Sequence, residues 1–466
     1  MRVWLLPLPL VAGCSLLTVH AAPCSDNAGC REAFGLGSVC GAEGLCEIAT
    51  VPPRCKTEGA PLELPVDPDL TVMIGTMFDH SLDTHVARYR SAGLPPLQVN
   101  SKEGVGGRTF SMLHCSIEED FRGDGLSKDD AVTEMARWLA DDLGVVAIIG
   151  PAASSDVEST YNTVAPYGTL VVSPSATSPS LTALDGVTST DADPGLLWRT
   201  APPDTVQALA IADDMMSREV PSTNVAVVYQ TGAYGEGLED AFTSAMIARG
   251  GRTTPFPFDP AVGSGDVLPE VVAGNFDEIL FASSEANDVV GFLVASYAIG
   301  IDEPIFLTDS ARNADVLDQA ASASALFPQL RGTAPASPDG PVYASFAASY
   351  AGTYGTPVDD FSYAAHSYDA SWLVMYGAGW SLSQEGRIYG EGIARGLRHL
   401  SSGPERELRP SDWTDGLAYV LDGRDQDVVG ASGELDYDPN TAETTGPIEV
   451  WDIAGGGFET LYVYVP

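Results

Sequence analysis

Two short clusters of hydroxyl residues stand where a ligand's charged group could be held. Ser154 and Ser155 follow the apolar run Val145–Ile149 where a helix must begin, and Ser175, Ala176 and Thr177 follow Leu170–Ser173 in the same way. The first amides of a helix have no intrahelical acceptor, so hydroxyls placed beside them complete a nest for a carboxylate without any basic residue. Serine and threonine are also ordinary N-caps, and that role alone accounts for them as well. Tyr234 follows the run Val225–Tyr229 and offers an aromatic face. Asp309 follows Ile305–Leu307 and offers a carboxylate, unless it merely caps the helix starting near Ser310.

Motifs for bond-making are missing from the chain. It has no G-x-S-x-G elbow, H-E-x-x-H, Walker A run, or G-x-G-x-x-G opening a helix after a strand. His80 and His85 form the one close histidine pair, with the spacing of surface residues. Asp422, Asp425, Asp427, Asp436 and Asp438 lack the glycine and glutamate spacing of a calcium loop and read as solvated turns. Binding without chemistry is the expectation, with no metal and no cofactor.

These residues must be positioned by alternating strands and helices. Leu70–Gly75, Thr109–His114, Val145–Ile149 and Leu170–Ser173 are buried-strand candidates. A helix is expected over Asp130–Leu143, where Val132, Met135, Ala136, Leu139 and Leu143 share one face and Gly144 stops it. The pattern repeats with strand Val225–Tyr229, a helix from Gly235 carrying Leu238, Phe242, Ala245 and Met246, strand Ile279–Ala282, helix Ala286–Ile299 and strand Ile305–Leu307. Strands separated by such helices imply parallel sheets covered on both faces, so the fold class is α/β with two Rossmann-like units. The run Ala92-Gly93-Leu94-Pro95-Pro96 is expected to break the first helix of the first unit.

The chain of 466 residues suits two domains of about 150 residues with some surplus. Hydrophobic residues at 44% can build both cores. With 64 acidic and 23 basic residues the formal charge is −41, a field that repels nucleic acid and anionic lipid and leaves cationic or zwitterionic ligands as the sharper expectation. Arg2 and the apolar stretch Val3–Gly13 read as an export signal, too short and broken to span a bilayer. Val11-Ala12-Gly13-Cys14 resembles a bacterial lipobox, with Cys14 as the acylated residue. Cleavage after Ala21 or Ala22 is the rival. The other six cysteines, Cys24, Cys30, Cys40, Cys46, Cys55 and Cys115, are even in number and suit disulfides in an oxidising compartment. Two bridges fit within Cys24–Cys46 and Cys55 could reach Cys115, with the connectivity left open by the sequence. Zinc is disfavoured because no pair is C-x2-C and no histidine joins the cluster.

Gly150-Pro151-Ala152-Ala153-Ser154-Ser155, continuing through Ser173-Pro174-Ser175-Ala176-Thr177-Ser178, resembles type I periplasmic binding proteins of the leucine/isoleucine/valine-binding kind. Arg199-Thr200-Ala201-Pro202 is similar to that family's first crossover, Tyr234-Gly235-Glu236-Gly237 to its tyrosine-bearing turn, and Tyr368-Asp369-Ala370 to its late first-lobe helix. The resemblance runs from about Leu70 to the C-terminus. With the export signal taken as 1–22 and the Cys-rich segment and linker as 23–66, it implies a first lobe of 67–201 plus 333–435, and a second of 202–332 plus 436–466. Three connections near Pro202, Arg331–Pro335 and Asp436 would form the hinge.

The resemblance also implies that Ser154 and Thr177 hold a ligand's carboxylate and amino group, that Tyr234 caps it, and that Asp309 meets its ammonium. The ligand would then be an amino acid or related amide or peptide, presented to an ABC-type permease or, in a receptor of the same fold, to a sensor. One departure marks the second lobe: Ser283-Ser284-Glu285 stand where amino-acid binders of the family often carry an aromatic.

Overall fold

The computed structural model describes residues 22–186, 189–336, 340–359 and 361–466. Its architecture is built on two parallel-dominated sheets. In the first, strands run in the order 55–57, 109–116, 71–78, 147–149, 170–173 and 197–199, all parallel except Cys55–Thr57 at the edge. In the second, the order is 252–258, 224–230, 278–282, 305–307 and 330–335, all parallel, completed by the antiparallel strands Ile448–Ala454 and Gly457–Tyr464.

Alternation along each central strand sends successive side chains into separate cores. Ile74, Ala147, Ile149, Leu170 and Val172 face Trp372 and Tyr376 on one side of the first sheet. Met73, Met77, Ile148 and Val171 face Val132, Met135, Leu139 and Val157 on the other. The second sheet does the same, with Ala226, Val228, Ile279 and Phe281 on one face and Val225, Val227, Leu280 and Ala282 on the other. Continuous apolar runs follow because both faces are covered.

The expected helix over Asp130–Leu143 is present, capped by Ser127 and running from Lys128 through a π-type last turn to Gly144, which ends it at φ 84°. Helix Ala286–Ile299 and strand Ile305–Leu307 fall where the apolar pattern put them. The expected break at Ala92–Pro96 is overturned: one helix runs from Asp83 to Val99 through both prolines. The prolines occupy its last turns, where each removes its own amide bond to the carbonyl four residues earlier. Burial of Ala92, Leu94 and Val99 in the first core offsets the cost of about 3 kcal/mol that an interior proline carries.

The Cys-rich segment is stapled by Cys24–Cys40 and Cys30–Cys46 and welded to the first sheet by Cys55–Cys115. It packs on the helix ending at Leu143, where Asn27 donates to Asp142 (3.2 Å) and the Gly37 amide to the Leu143 carbonyl (3.0 Å). Cys14 and the export signal lie outside the described residues.

The chain leaves the first sheet after Arg199 and returns after Pro335. Tyr437 and Ala442 still pack in the first core, so the third connection runs between Ala442 and Ile448.

Burial lowers the pKa of four histidines, His80, His85, His114 and His366, and each makes the fold sensitive to acid. His114 is fully buried with a ring nitrogen 2.8 Å from the Thr76 hydroxyl, and burial, helped by nearby His80 and Lys56, lowers its pKa to about 3. The unfolded chain takes up this proton near pH 6.5 and the folded chain only near pH 3. Its share of stability is therefore full above the upper value and is lost as pH falls towards the lower one. In His114→Gln, urea denaturation followed from about pH 6 to pH 4 should show a decline shallower than the parent's by up to about 1.4 kcal/mol per pH unit.

Candidate functional site

The ends of the parallel strands of both sheets meet at a cleft, where open α/β sheets place their ligands. Helix Ser154–Val164 starts there, and Ser154 is its first residue, 2% exposed. Its hydroxyl accepts from the Ser178 amide at 3.2 Å, tying the two hydroxyl turns together. The Ser175 hydroxyl donates to the Ala152 carbonyl at 3.1 Å. The Ala176 amide is already engaged by the Ser173 hydroxyl at 3.1 Å. Ser155 is exposed and faces the outer cleft.

Tyr234 lies in the first turn of helix Ala233–Ala248, and its hydroxyl donates to Asp309 at 2.6 Å. The Asp309 carboxylate also accepts from Tyr363 at 3.0 Å and from Gln207 at 3.3 Å. Burial, with the Asp309 charge adding to it, raises both phenol pKa values, so these hydroxyls stay protonated donors.

Ser154, Ser175, Tyr234 and Asp309 line one cavity of about 40 Å³. Thr177 is not among its lining residues. Its hydroxyl stands beside the buried Asp204 carboxyl without closing a hydrogen bond of normal geometry. Burial raises the pKa of Asp204 well above the ordinary carboxylate range, with the Asp309 charge next in effect.

Sequence reasoning placed none of Arg88, Ser284, Glu285, Ser310 or Tyr363 at this cavity, and His85, read as a surface residue, is buried and lines it. Arg88 donates to Ser175 (3.3 Å) and to the Ser362 carbonyl (3.2 Å), and its guanidinium lies 5.1 Å from the centre of the Tyr363 ring. It makes no ion pair among the described residues. Burial lowers its pKa, and Tyr363, Asp309 and Glu285 oppose the shift, so it keeps its charge. The i, i+3 placement of His85 and Arg88 was visible, but nothing in the sequence showed that this face of the helix turns towards the cavity.

The two lobes touch across this site. Tyr363 reaches Asp309 from the first lobe, the Ser178 hydroxyl donates to the Ala233 carbonyl at 2.6 Å, and Lys128 lies 3.4 Å from Asp156 and 3.2 Å from Glu285 of the second lobe. A volume of 40 Å³ holds only a few waters, far short of the roughly 300 Å³ at the low end of ligand pockets. Entry of a solute therefore requires the lobes to part. The outer cleft beside it, lined by Lys128, Ser155, Asp156 and Glu285, measures about 870 Å³.

Gly237 marks the tightest approach: a Cβ there would stand 2.6 Å from the Ser178 hydroxyl and 2.9 Å from the Pro179 ring. Gly237→Val should wedge the lobes apart while leaving both cores intact. A closure penalty of about 1 to 3 kcal/mol follows, weakening ligand binding by about tenfold or more. Small-angle scattering should show a larger radius of gyration than the parent's at unchanged helicity.

Two α/β lobes, three connections and a cleft at the strand ends define a type I periplasmic binding protein fold. Residues 98–456 match the family described as the receptor family ligand binding region, and the chain belongs to it. That family is of the substrate-binding, receptor type.

The leucine-binding protein LivK from Thermotoga maritima superposes with a TM-score of 0.65 at 17% identity, covering 85% of this chain and 99% of that one. Among curated relatives, the chemotactic signal transduction system substrate-binding protein BasB of Halobacterium salinarum is 24% identical over 377 residues, 75% of this chain and 82% of BasB. The Leu/Ile/Val-binding protein BraC3 of Rhizobium johnstonii is 34% identical over 153 residues, 33% of this chain and 37% of BraC3. Matches to two further curated relatives span 28% and 27% of those proteins. No helix among the described residues is long and apolar enough to cross a membrane.

Proposed function

We propose that this protein is an exported solute receptor that closes on a small zwitterionic ligand of amino-acid type, presents it to an ABC-type permease, and leaves it chemically unchanged. The observation that carries the reading is the polarity of the cavity. Arg88 from the first lobe and Asp309 from the second line the same space without forming an ion pair, with the Ser154 and Ser175 hydroxyls beside the cation. A ligand carrying a carboxylate and an ammonium would face each to its complement. Bridging both lobes would convert binding energy into closure. The names of LivK and BraC3 support an amino acid, and acylation at Cys14 would hold the receptor at a membrane surface.

Calorimetry against the common amino acids tests the reading. At least one should bind, and Arg88→Met should weaken it by about 10- to 100-fold, as loss of a charge-assisted bond of about 1.5 to 3 kcal/mol requires. Absence of binding across the panel would refute it. BasB favours a second reading, in which the closed form signals to a transducer. Cross-linking in native membranes separates the two by whether a permease or a transducer is captured.

A further inference from the structure

Burying a branched aliphatic side chain contributes about 1.5 to 3 kcal/mol only where apolar walls receive it. Among its described lining residues this cleft offers the rings of Tyr234 and Tyr363, a few alanines and Pro260, and little aliphatic wall. Three cavities open on it, and Leu82 is the only branched aliphatic side chain among their lining residues.

The second-lobe wall is a polar shelf. Gln230 ends strand Asn224–Gln230 and is 7% exposed, and its carbonyl oxygen accepts from the Ser283 hydroxyl and the Ser284 amide, both at 2.7 Å. Its amide nitrogen donates to the Ser284 hydroxyl at 3.1 Å, and Ser310 donates to the Ser283 carbonyl at 2.5 Å. The shelf is fixed on both sides and cannot fold away to expose apolar surface. Glu285 follows it at the junction of the inner cavity and the outer cleft, with its side chain 32% exposed.

A leucine or isoleucine side chain laid on this wall would strip water from Ser284 and Glu285 and return no hydrogen bond, leaving them only Gln230 and Lys128 as partners, at a cost of about 1 kcal/mol or more. A side chain ending in N–H donors would instead meet the Glu285 carboxylate, which it would share with Lys128 at 3.2 Å, and the Ser284 hydroxyl, which already accepts from Gln230. We propose that this cleft selects an amino acid whose side chain ends in N–H groups, an amide or a cation, over the branched aliphatic amino acids named for its relatives. The proposal rests on the amino-acid receptor reading above and sharpens it.

The test is calorimetry of the purified protein with L-arginine, L-glutamine, L-leucine and L-isoleucine. Arginine or glutamine should bind at least about tenfold more tightly than leucine. Glu285→Gln then distinguishes the two donor types: a loss of about tenfold confined to arginine identifies a cation, and an equal loss for glutamine identifies an amide. Ser284→Leu, which supplies the missing apolar wall, should narrow the gap to leucine. Unchanged circular dichroism and thermal midpoints keep the variants comparable.

Leucine or isoleucine binding most tightly to the parent would overturn this inference and leave the amino-acid receptor intact. Unaltered affinity for both polar ligands in Glu285→Gln would equally overturn it. Silence from all four ligands in the parent would overturn the inference, and silence across every common amino acid would overturn the receptor reading with it.

Discussion

Glu443→Ala is expected to destabilise the folded protein by about 4 kcal/mol, the scale at which a buried ion pair fails when one partner is removed. The charge left behind belongs to Arg199, 2% exposed at the end of strand Leu197–Arg199. Burial lowers its pKa to about 10, so it stays protonated at neutral pH. Arg199 also donates to the carbonyls of Ala176 (3.2 Å) and Ser178 (2.8 Å), and Thr182 donates to Glu443 at 2.7 Å. The pair thus sets the turn that carries Ser175 to the cavity. Urea denaturation should show a lower midpoint with an unchanged slope, and Glu443→Gln, which keeps the hydrogen bonds without the charge, should fall between. A loss below about 1 kcal/mol would mean that solvent reaches Arg199 and screens it.

The largest effect on binding is expected from Asp309→Ala, a loss of about a hundredfold or more in ligand affinity. This carboxylate faces the cavity and receives Tyr234, Tyr363 and Gln207. Removing it strands two buried phenols, each at about 1 to 3 kcal/mol, and severs the Tyr363 link between lobes. Stability falls as well, so the variant must be assayed at a temperature where circular dichroism shows it folded. Asp309→Asn preserves shape and one acceptor. It should retain most of the stability while still losing the ammonium partner, which separates the structural share from the binding share.

Much of the fold was legible because burial on both faces writes strands as unbroken apolar runs. Ile305–Leu307 and Ala286–Ile299 could be read almost residue by residue. Pro95 and Pro96 misled because their local penalty is visible in sequence, while the burial that offsets it comes from contacts far along the chain. The site was legible in part for a similar reason. Ser154, Ser175, Tyr234 and Asp309 follow strands, and strand ends converge on the cleft whatever the details of packing. Arg88 lies mid-helix, and only the rotation of that helix about its axis turns it towards the cavity. Tyr363 reaches Asp309 from a left-handed backbone position at φ 65°, which no sequence pattern announces. Thr177 shows the converse. Its spacing is right, yet its hydroxyl is directed at Asp204 behind the cavity.

The weld between Cys55 and Cys115 has a mechanical corollary. The described residues upstream of it are fastened to the first lobe, through the disulfide and through the packing of the stapled segment on the helix that ends at Leu143. If the chain's leading end is moored, the first lobe is the stator and the second, carrying Asp309 and Glu285, is the moving jaw. A partner that docks on both jaws would then read the angle of one against a fixed reference.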